Sequence, residues 1–458
     1  MGRPPTLPPL KHPSPIQQLP PDPVEVIGRW PATMPLAVRW NADPESGNSI
    51  TLGLPSTSRT AHTPAQCESL LQELKPNPGG TGGSGWFGWL SYDAGRVFEP
   101  AAANRSSPMV DQVWPLASFQ RIESAITFNL ANQSWSVAGD PFGIPWTQLT
   151  RARERAAPPF FLPRLDPIGN RAGYTKGVER AIEYIRAGDV YQVNLAHRLS
   201  SPFTGSARLL FAQLASRAKP WHGGYYEAGD YALASLSPEL FLEADLKSRS
   251  IRTRPMKGTR AYCDDNLDVA HAELVSSGKD RAELAMIVDL MRNDLGRVCE
   301  LGSVRVEQDR RIERHQSGVL QSTATVAGVL RQSSALPDVL RATFPPGSVT
   351  GAPKIRAMQI IDELEPTRRG PYCGTMLWLG DDGRLSASVL IRTLCFSDER
   401  LDYSVGAGIV ADSSPDAEWL ETLDKAAMLL PPKPAANQAA KGSVEAPARV
   451  RGTTTRGS

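Results

Sequence analysis

The sequence predicts a fold that mixes helices and strands, and three observations carry the expectation. Residues 25–160 break into short apolar or aromatic runs separated by turn residues, the pattern of strands. Residues 165–431 alternate between helical and strand periodicity. The two ends hold little that could join either pattern.

At the start, residues 1–24 contain Pro-Pro steps at Pro4, Pro8 and Pro20, whose backbones cannot enter ladders or helix interiors, so a mobile arm is expected. Strand candidates follow at 36–40, 50–52, 86–90 and 126–128. The run Gly79-Gly80-Thr81-Gly82-Gly83 reads as a loop and not as a phosphate cradle, because no Lys-Ser/Thr and helix follow it. The Arg-, Ala- and Pro-rich stretch 151–166 reads as a connection. A helix is expected over 176–187, with Val178, Ala181, Ile182 and Ile185 at helical spacing and Gly188 as its stop. Further helices are expected over 280–293, 353–365 and 415–430, the last two opening on a Pro that suits a first turn. Strands are expected at 231–235, 388–391 and 401–405. Residues 432–458 contain no aromatic residue, Leu or Ile, so burial cannot offset the entropy of ordering them, and a disordered tail is expected.

Length allows several average domains or one large intertwined unit. With 41% hydrophobic and 21% charged residues the 458-residue chain has the composition of a soluble globular protein, and no apolar run is long enough to span a bilayer. The Pro-crowded start lacks the features of a secretory signal, which makes the cytoplasm the expected location. A net charge of +2 gives no nucleic-acid footprint. Cys67, Cys263, Cys299, Cys373 and Cys395 lie far apart, against both a zinc site and a disulfide framework.

Asp280 and Glu283 lie three apart on one expected helix, and Glu418 and Glu421 three apart on another, with Lys425 following on the same face. Four carboxylates on two helix faces could hold a hard cation such as magnesium; solvated helix charges explain the same spacing. Lys257 lies in Arg254-Pro255-Met256-Lys257-Gly258-Thr259, close to Arg252 and Arg254, whose charges would lower its pKa and leave some free amine. A solvated surface lysine is the plainer reading, and a pyridoxal-phosphate lysine lacks an accompanying phosphate cup. The loop 344–354 leads into the third helix, so the Thr350 hydroxyl and nearby amides could meet an anion, or the loop is only a turn. Gly406 and Gly408 would let backbone N–H groups approach a carboxylate, or mark a bulge. Tyr372 and Arg392 could hold a carboxylate, or make structural contacts.

Further runs stand among these: Gly88-Trp89-Leu90-Ser91-Tyr92-Asp93-Ala94-Gly95-Arg96, Gly188-Asp189-Val190-Tyr191-Gln192-Val193-Asn194-Leu195, Ser235-Leu236-Ser237-Pro238-Glu239, Met286-Ile287-Val288-Asp289-Leu290-Met291-Arg292-Asn293-Asp294, Thr350-Gly351-Ala352-Pro353-Lys354 and Gly406-Ala407-Gly408-Ile409-Val410-Ala411-Asp412-Ser413. Taken in order, these segments resemble the chorismate-utilising enzymes, most closely the folate-pathway branch of aminodeoxychorismate synthase component I, a relative of anthranilate synthase component I.

The resemblance implies an α+β fold of two packed antiparallel β-sheets with surrounding helices, both halves supplying strands. It implies Glu283 and Glu421 as magnesium ligands, supported by Asp280 and Glu418, with the ion on the ring carboxylate of chorismate and Lys425 nearby. Tyr372, Arg392 and the amides around Gly406 and Gly408 would grip the enolpyruvyl carboxylate. A Lys at position 257 is the mark of C4 amination, where it adds at C2 as the C4 hydroxyl leaves and ammonia then displaces it; anthranilate synthases carry Ala there. At Gln192 the water-using relatives carry Lys, so Gln argues against a water nucleophile. Gln321 falls where many members have a His acid or base, with His315 six residues earlier, which leaves the proton donor unassigned. The chain shows no amidotransferase segment, so ammonia is expected from a separate glutaminase subunit. The rivals are an anthranilate synthase component I and an inactive chorismate-binding homologue.

Overall fold

A computed structural model describes residues 15–80, 83–102, 114–139, 143–151 and 165–427. Among the described residues the strands form one continuous network of 19. Alternation of apolar and polar residues, and of small with aromatic ones, lets each strand present one face to a neighbouring layer. In the first wing Ser49–Ala61 pairs with Ala37–Asn41, which pairs with Gly223–Ala228, followed across the sheet by Tyr231–Ser235, Thr393–Ser397, Arg400–Ile409 and Gln192–Pro202, all antiparallel. In the second wing Ala117–Asn129 pairs with Gly85–Leu90, followed by Thr375–Gly380, Arg384–Val389, Leu240–Asp245, Ser250–Arg254 and Val319–Val329, again antiparallel. Met256–Ala261 continues past Pro255 along Val319–Val329. The long strands Ser49–Ala61 and Ala117–Asn129 pair with each other and join the wings.

The wings pack face to face. Ala37, Tyr226, Leu233 and Cys395 from the first share one buried cluster with Phe87, Trp89, Met376 and Trp378 from the second. Tyr226 meets Phe87 and Trp89 with ring centroids 6.3 Å apart in both pairs. The two expected sheets are two wings of one network, and strands from both halves of the sequence pair within it, as the resemblance implied. Helices Pro23–Arg29 and Ala207–Ala218 cover the first wing through Ile27, Leu210 and Phe211. Helices Gly278–Gly296, Leu336–Thr343 and Lys354–Leu364 enter a second large core through Ile287, Leu340 and Ile361.

Several local expectations shift. The arm is docked from Pro15 onward: Leu19 is buried, Trp135 Nε1 donates to the Pro20 carbonyl at 2.8 Å, and helix Pro23–Arg29 begins inside it. Residues 1–14 and the tail 432–458 lie outside the described residues, as do 152–164 of the expected connection and 81–82 of the glycine run. Helix Arg171–Arg186 starts earlier than expected because Asn170 accepts from the Gly173 N–H. Ser277 likewise caps Gly278–Gly296 by accepting from the Asp280 N–H. The fourth helix is described as Pro415–Ala427, and 428–430 lie outside the described residues. Four cysteines are buried, Cys263 is exposed, and all five are free. Among the described residues no helix is long and apolar enough to cross a membrane.

Candidate active site

The far ends of the wings converge where two glycines let polar side chains approach the sheet closely. Gly406 and Gly408 lie inside strand Arg400–Ile409, not after it, and pair with Ala196 and Asn194. Neither has positive φ, so what they supply is close approach of their neighbours. A methyl group built on Gly408 would lie 3.0 Å from Lys257 Nζ and 3.1 Å from Gln192 Nε2; one built on Gly406 would lie 3.0 Å from Tyr372 Oη. The two glycines thus bring together three of the expected site residues. Gln192 is fully buried, and neither of its amide atoms has a partner among the described residues. Such groups are rarely left unsatisfied without a reason.

Lys257 stands on Met256–Ala261 with 14% of its side chain exposed, and its Nζ is 3.5 Å from Glu283 Oε2. Its pKa is lowered, first by burial and then by Lys425, against the pull of Glu283 and Glu239. The sequence attributed that lowering to Arg252 and Arg254. Instead Arg252 pairs with Glu243 and Arg254 with Asp43, so their charges are spent locally. Gly258 takes φ +78°, and a methyl group there would lie 2.7 Å from Asp280 Cγ; both facts require glycine next to the lysine.

The four carboxylates divide. Asp280 is held by Arg260 at 3.0 Å. Glu283 faces both Lys257 and Lys279, the latter at 3.8 Å. Glu421 pairs with Lys425 at 2.8 Å, and Lys425 also donates to the Gly406 carbonyl at 2.9 Å. Burial pushes the Glu421 carboxyl up, but Lys425, Lys279 and Lys257 outweigh it and hold it below its ordinary range. Glu418 is buried, accepts from Ser413 Oγ at 2.7 Å and is raised by burial and by Glu421. Lysine charges thus reach acids of both helices. Among the described residues no three Asp, Glu, His or Cys side chains are grouped to hold a metal ion unaided. Magnesium commonly takes one or two carboxylates and fills its shell with substrate oxygens and water, and Glu283 and Glu421, each facing a lysine here, are the candidates for that part.

Tyr372 is buried and its phenol is raised far above its ordinary range by burial, so it remains a donor. Arg392 takes φ +50° just before Thr393–Ser397, the strand that pairs with the glycine-bearing one. Burial lowers its pKa, and among the described residues no group accepts a hydrogen bond from its guanidinium. Thr350 departs from expectation: its hydroxyl turns back to the carbonyls of Pro346 and Gly347, both at 3.2 Å, while its carbonyl accepts from the Asn194 N–H at 2.8 Å. It braces the strand that carries Asn194. Lys354, at the end of the same loop, turns away to Asp294 at 2.6 Å. Gln321 is buried opposite Thr259 with both amide atoms unpartnered. The His315 ring packs on Trp221 at 3.9 Å between centroids, and burial lowers it to about 3.

Sequence reasoning missed Glu239. It is buried, accepts from Ser348 and from the Met256 N–H, feels the charge of Lys257, and is raised by burial to about 7. Ser235-Leu236-Ser237-Pro238-Glu239 was legible as a motif, but only the fold brings its carboxyl to the lysine. Two open clefts of about 720 and 890 Å³, around Arg39 and Glu243 and around Thr57 and Glu227, lie elsewhere; Lys257 lines neither.

Residues 41–431 match the family described as chorismate binding enzyme. The chain is 36% identical over 379 residues to aminodeoxychorismate synthase component 1 of Salmonella typhimurium, covering 80% of each protein. It is 43% identical over 263 residues to anthranilate synthase component 1 of Thermus thermophilus, a match that spans 57% of this chain and only 56% of that relative. Anthranilate synthase component I of Streptococcus pneumoniae superposes with a TM-score of 0.68 at 26% identity, over 86% of this chain and 90% of that one. Because the family match runs through both wings and through each segment that brings residues to this site, the chain belongs to the chorismate binding enzyme family.

Proposed function

We propose that the chain aminates chorismate at C4, giving 4-amino-4-deoxychorismate with the enolpyruvyl group retained. The observation that carries this reading is a largely buried Lys257 beside Gly408, with its pKa lowered and a near-neutral carboxyl, Glu239, in electrostatic reach. Tyr372, Arg392 and the amides of Gly406 and Gly408 hold the enolpyruvyl carboxylate. The Lys257 amine adds at C2, both ring double bonds shift, and the C4 hydroxyl leaves as water with the proton of Glu239. Ammonia then adds at C4, the double bonds shift back, and the lysine nitrogen leaves C2 with its bonding pair as the free amine. One difficult displacement becomes two easier ones. Glu283 and Glu421, with Asp280 and Glu418 in support, would hold magnesium, which draws electron density toward the ring carboxylate and orients the ring. Gln192 carries no charge with which to activate water, and a separate glutaminase subunit supplies the ammonia.

Incubation with chorismate, ammonium and magnesium tests this directly. Aminodeoxychorismate is the expected product. Anthranilate would favour the second reading, to which relatives named anthranilate synthase lend weight, and tight binding without turnover would mark an inactive homologue. Lys257→Ala is expected to lower kcat at least roughly a hundredfold, and full activity of that variant would remove the covalent step. Hydrolysis of glutamine by the isolated chain would overturn the separate ammonia donor.

A further inference from the structure

Asn194 has no part in the reaction scheme, yet its side chain has the marks of a ligand-binding group. It is directly paired with Gly408, which puts its side chain on the face of the sheet where Lys257 and Gln192 approach that glycine. Gln192, two residues earlier, presents its amide on the same face. Asn194 is 8% exposed, and its Nδ2 has no acceptor among the described residues. Its backbone, by contrast, is fixed on both sides: the N–H donates to the Thr350 carbonyl at 2.8 Å, and the carbonyl accepts from Arg369 Nη2 at 2.7 Å. A buried donor held in place by its backbone and left without an acceptor is costly to the free protein. Beside Gly408 the amide N–H groups of Gln192 and Asn194 are both left without acceptors among the described residues.

We propose that Asn194 is a substrate-binding residue whose amide N–H donates to a carboxylate oxygen of the acid resting over Gly406 and Gly408. This rests on the reading of this region as a chorismate site. The amide selects acids that place an acceptor oxygen at this point and gains nothing from a ligand without one.

The test combines chorismate binding by titration calorimetry with thermal unfolding of the free chain. Asn194→Val removes the donor and leaves a smaller apolar group in its place. It is expected to weaken chorismate binding roughly tenfold to a hundredfold while the free protein unfolds at the same or a higher temperature, because a buried unsatisfied group is gone. Asn194→Asp, similar in shape but offering a charge of the ligand's own sign, is expected to bind more weakly than the Val variant. If Val binds within twofold of wild type, or if its loss of affinity is matched by a fall in unfolding temperature, Asn194 is structural and the proposal fails. A wild-type chain that does not bind chorismate overturns the reading beneath it and the proposal together.

Discussion

Glu239 shows how one residue's chemistry is set by what surrounds it. An ordinary glutamate is ionised at neutral pH and cannot give up a proton; buried against Ser348, Met256 and Lys257, this one titrates at about 7. The position suits a general acid, whose best pKa lies near the operating pH. Glu239→Gln preserves the shape and removes the proton. Its kcat for aminodeoxychorismate formation is expected to fall roughly 10²- to 10⁴-fold with KM nearly unchanged, and wild-type kcat should decline above about pH 7 as the acid ionises, a limb absent from the variant. Steady-state kinetics across pH checks both. The same residue marks the limit of sequence reading. Lys257, Glu283 and Glu421 were singled out through the ordered motifs that resemble the family, since type and spacing alone read equally as solvated charges, whereas Glu239 draws notice only through burial and a partner 18 positions away, neither of which local pattern encodes. For Lys257 the direction of the shift was legible and its cause was not, because the fold turns Arg252 and Arg254 toward Glu243 and Asp43.

Among elements, the strand beneath the site is held by a buried ion pair. Glu365 and Arg369 lie 2.6 Å apart with 2% of each side chain exposed. Glu365 accepts from the Ala196 N–H, and Arg369 donates to the carbonyls of Val349 and Asn194 and lies over the Tyr92 ring at 4.5 Å. The pair therefore ties the strand Gln192–Pro202 to the Thr350 loop. Arg369→Met leaves Glu365 buried and unpaired, and is expected to cost roughly 3–5 kcal/mol in urea unfolding. Arg369→Met with Glu365→Met should recover much of that stability yet still raise KM for chorismate, because the carbonyls that Arg369 holds stay loose. Equal losses in single and double variants would mean that packing and not charge is at stake. Helices with a clear apolar stripe and a cap were placed from sequence to within a turn or two. Ala207–Ala218 and Leu336–Thr343 were passed over, the second because only eight residues carry its signal. The glycine pair was read as a feature after a strand, since without the partner strand nothing in Gly-Ala-Gly says that pairing continues through it.

At the scale of the whole molecule, packing the wings against each other and beneath their helices buries titratable rings, His197 under Trp419 among them. Burial lowers His197 to about 4; burial, with Arg254 opposing Asp43, lowers His222 to about 3; burial, with Arg392 adding to it, lowers His315 to about 3. Each is neutral when folded near pH 6, whereas in the unfolded chain each takes up a proton near pH 6.5. Their contribution to stability is therefore present above about pH 6.5 and is lost as pH falls toward 4, because the unfolded state then binds more protons. Glu239 acts in the opposite sense: folded, it holds its proton up to about 7, and its contribution fades as pH rises from its ordinary 4.5 through that value. Burial raises Asp294, Glu313, Glu365 and Glu418 in the same sense as Glu239, so the rings' share of the fall in urea midpoint from pH 7 to about pH 4.5 is isolated by substituting a ring. His315→Phe keeps a ring against Trp221 and removes one titration, and should make the fall shallower by up to about 1.4 kcal/mol per pH unit. If acid instability arose only from surface charges repelling one another, the variant and the wild type would lose stability in parallel.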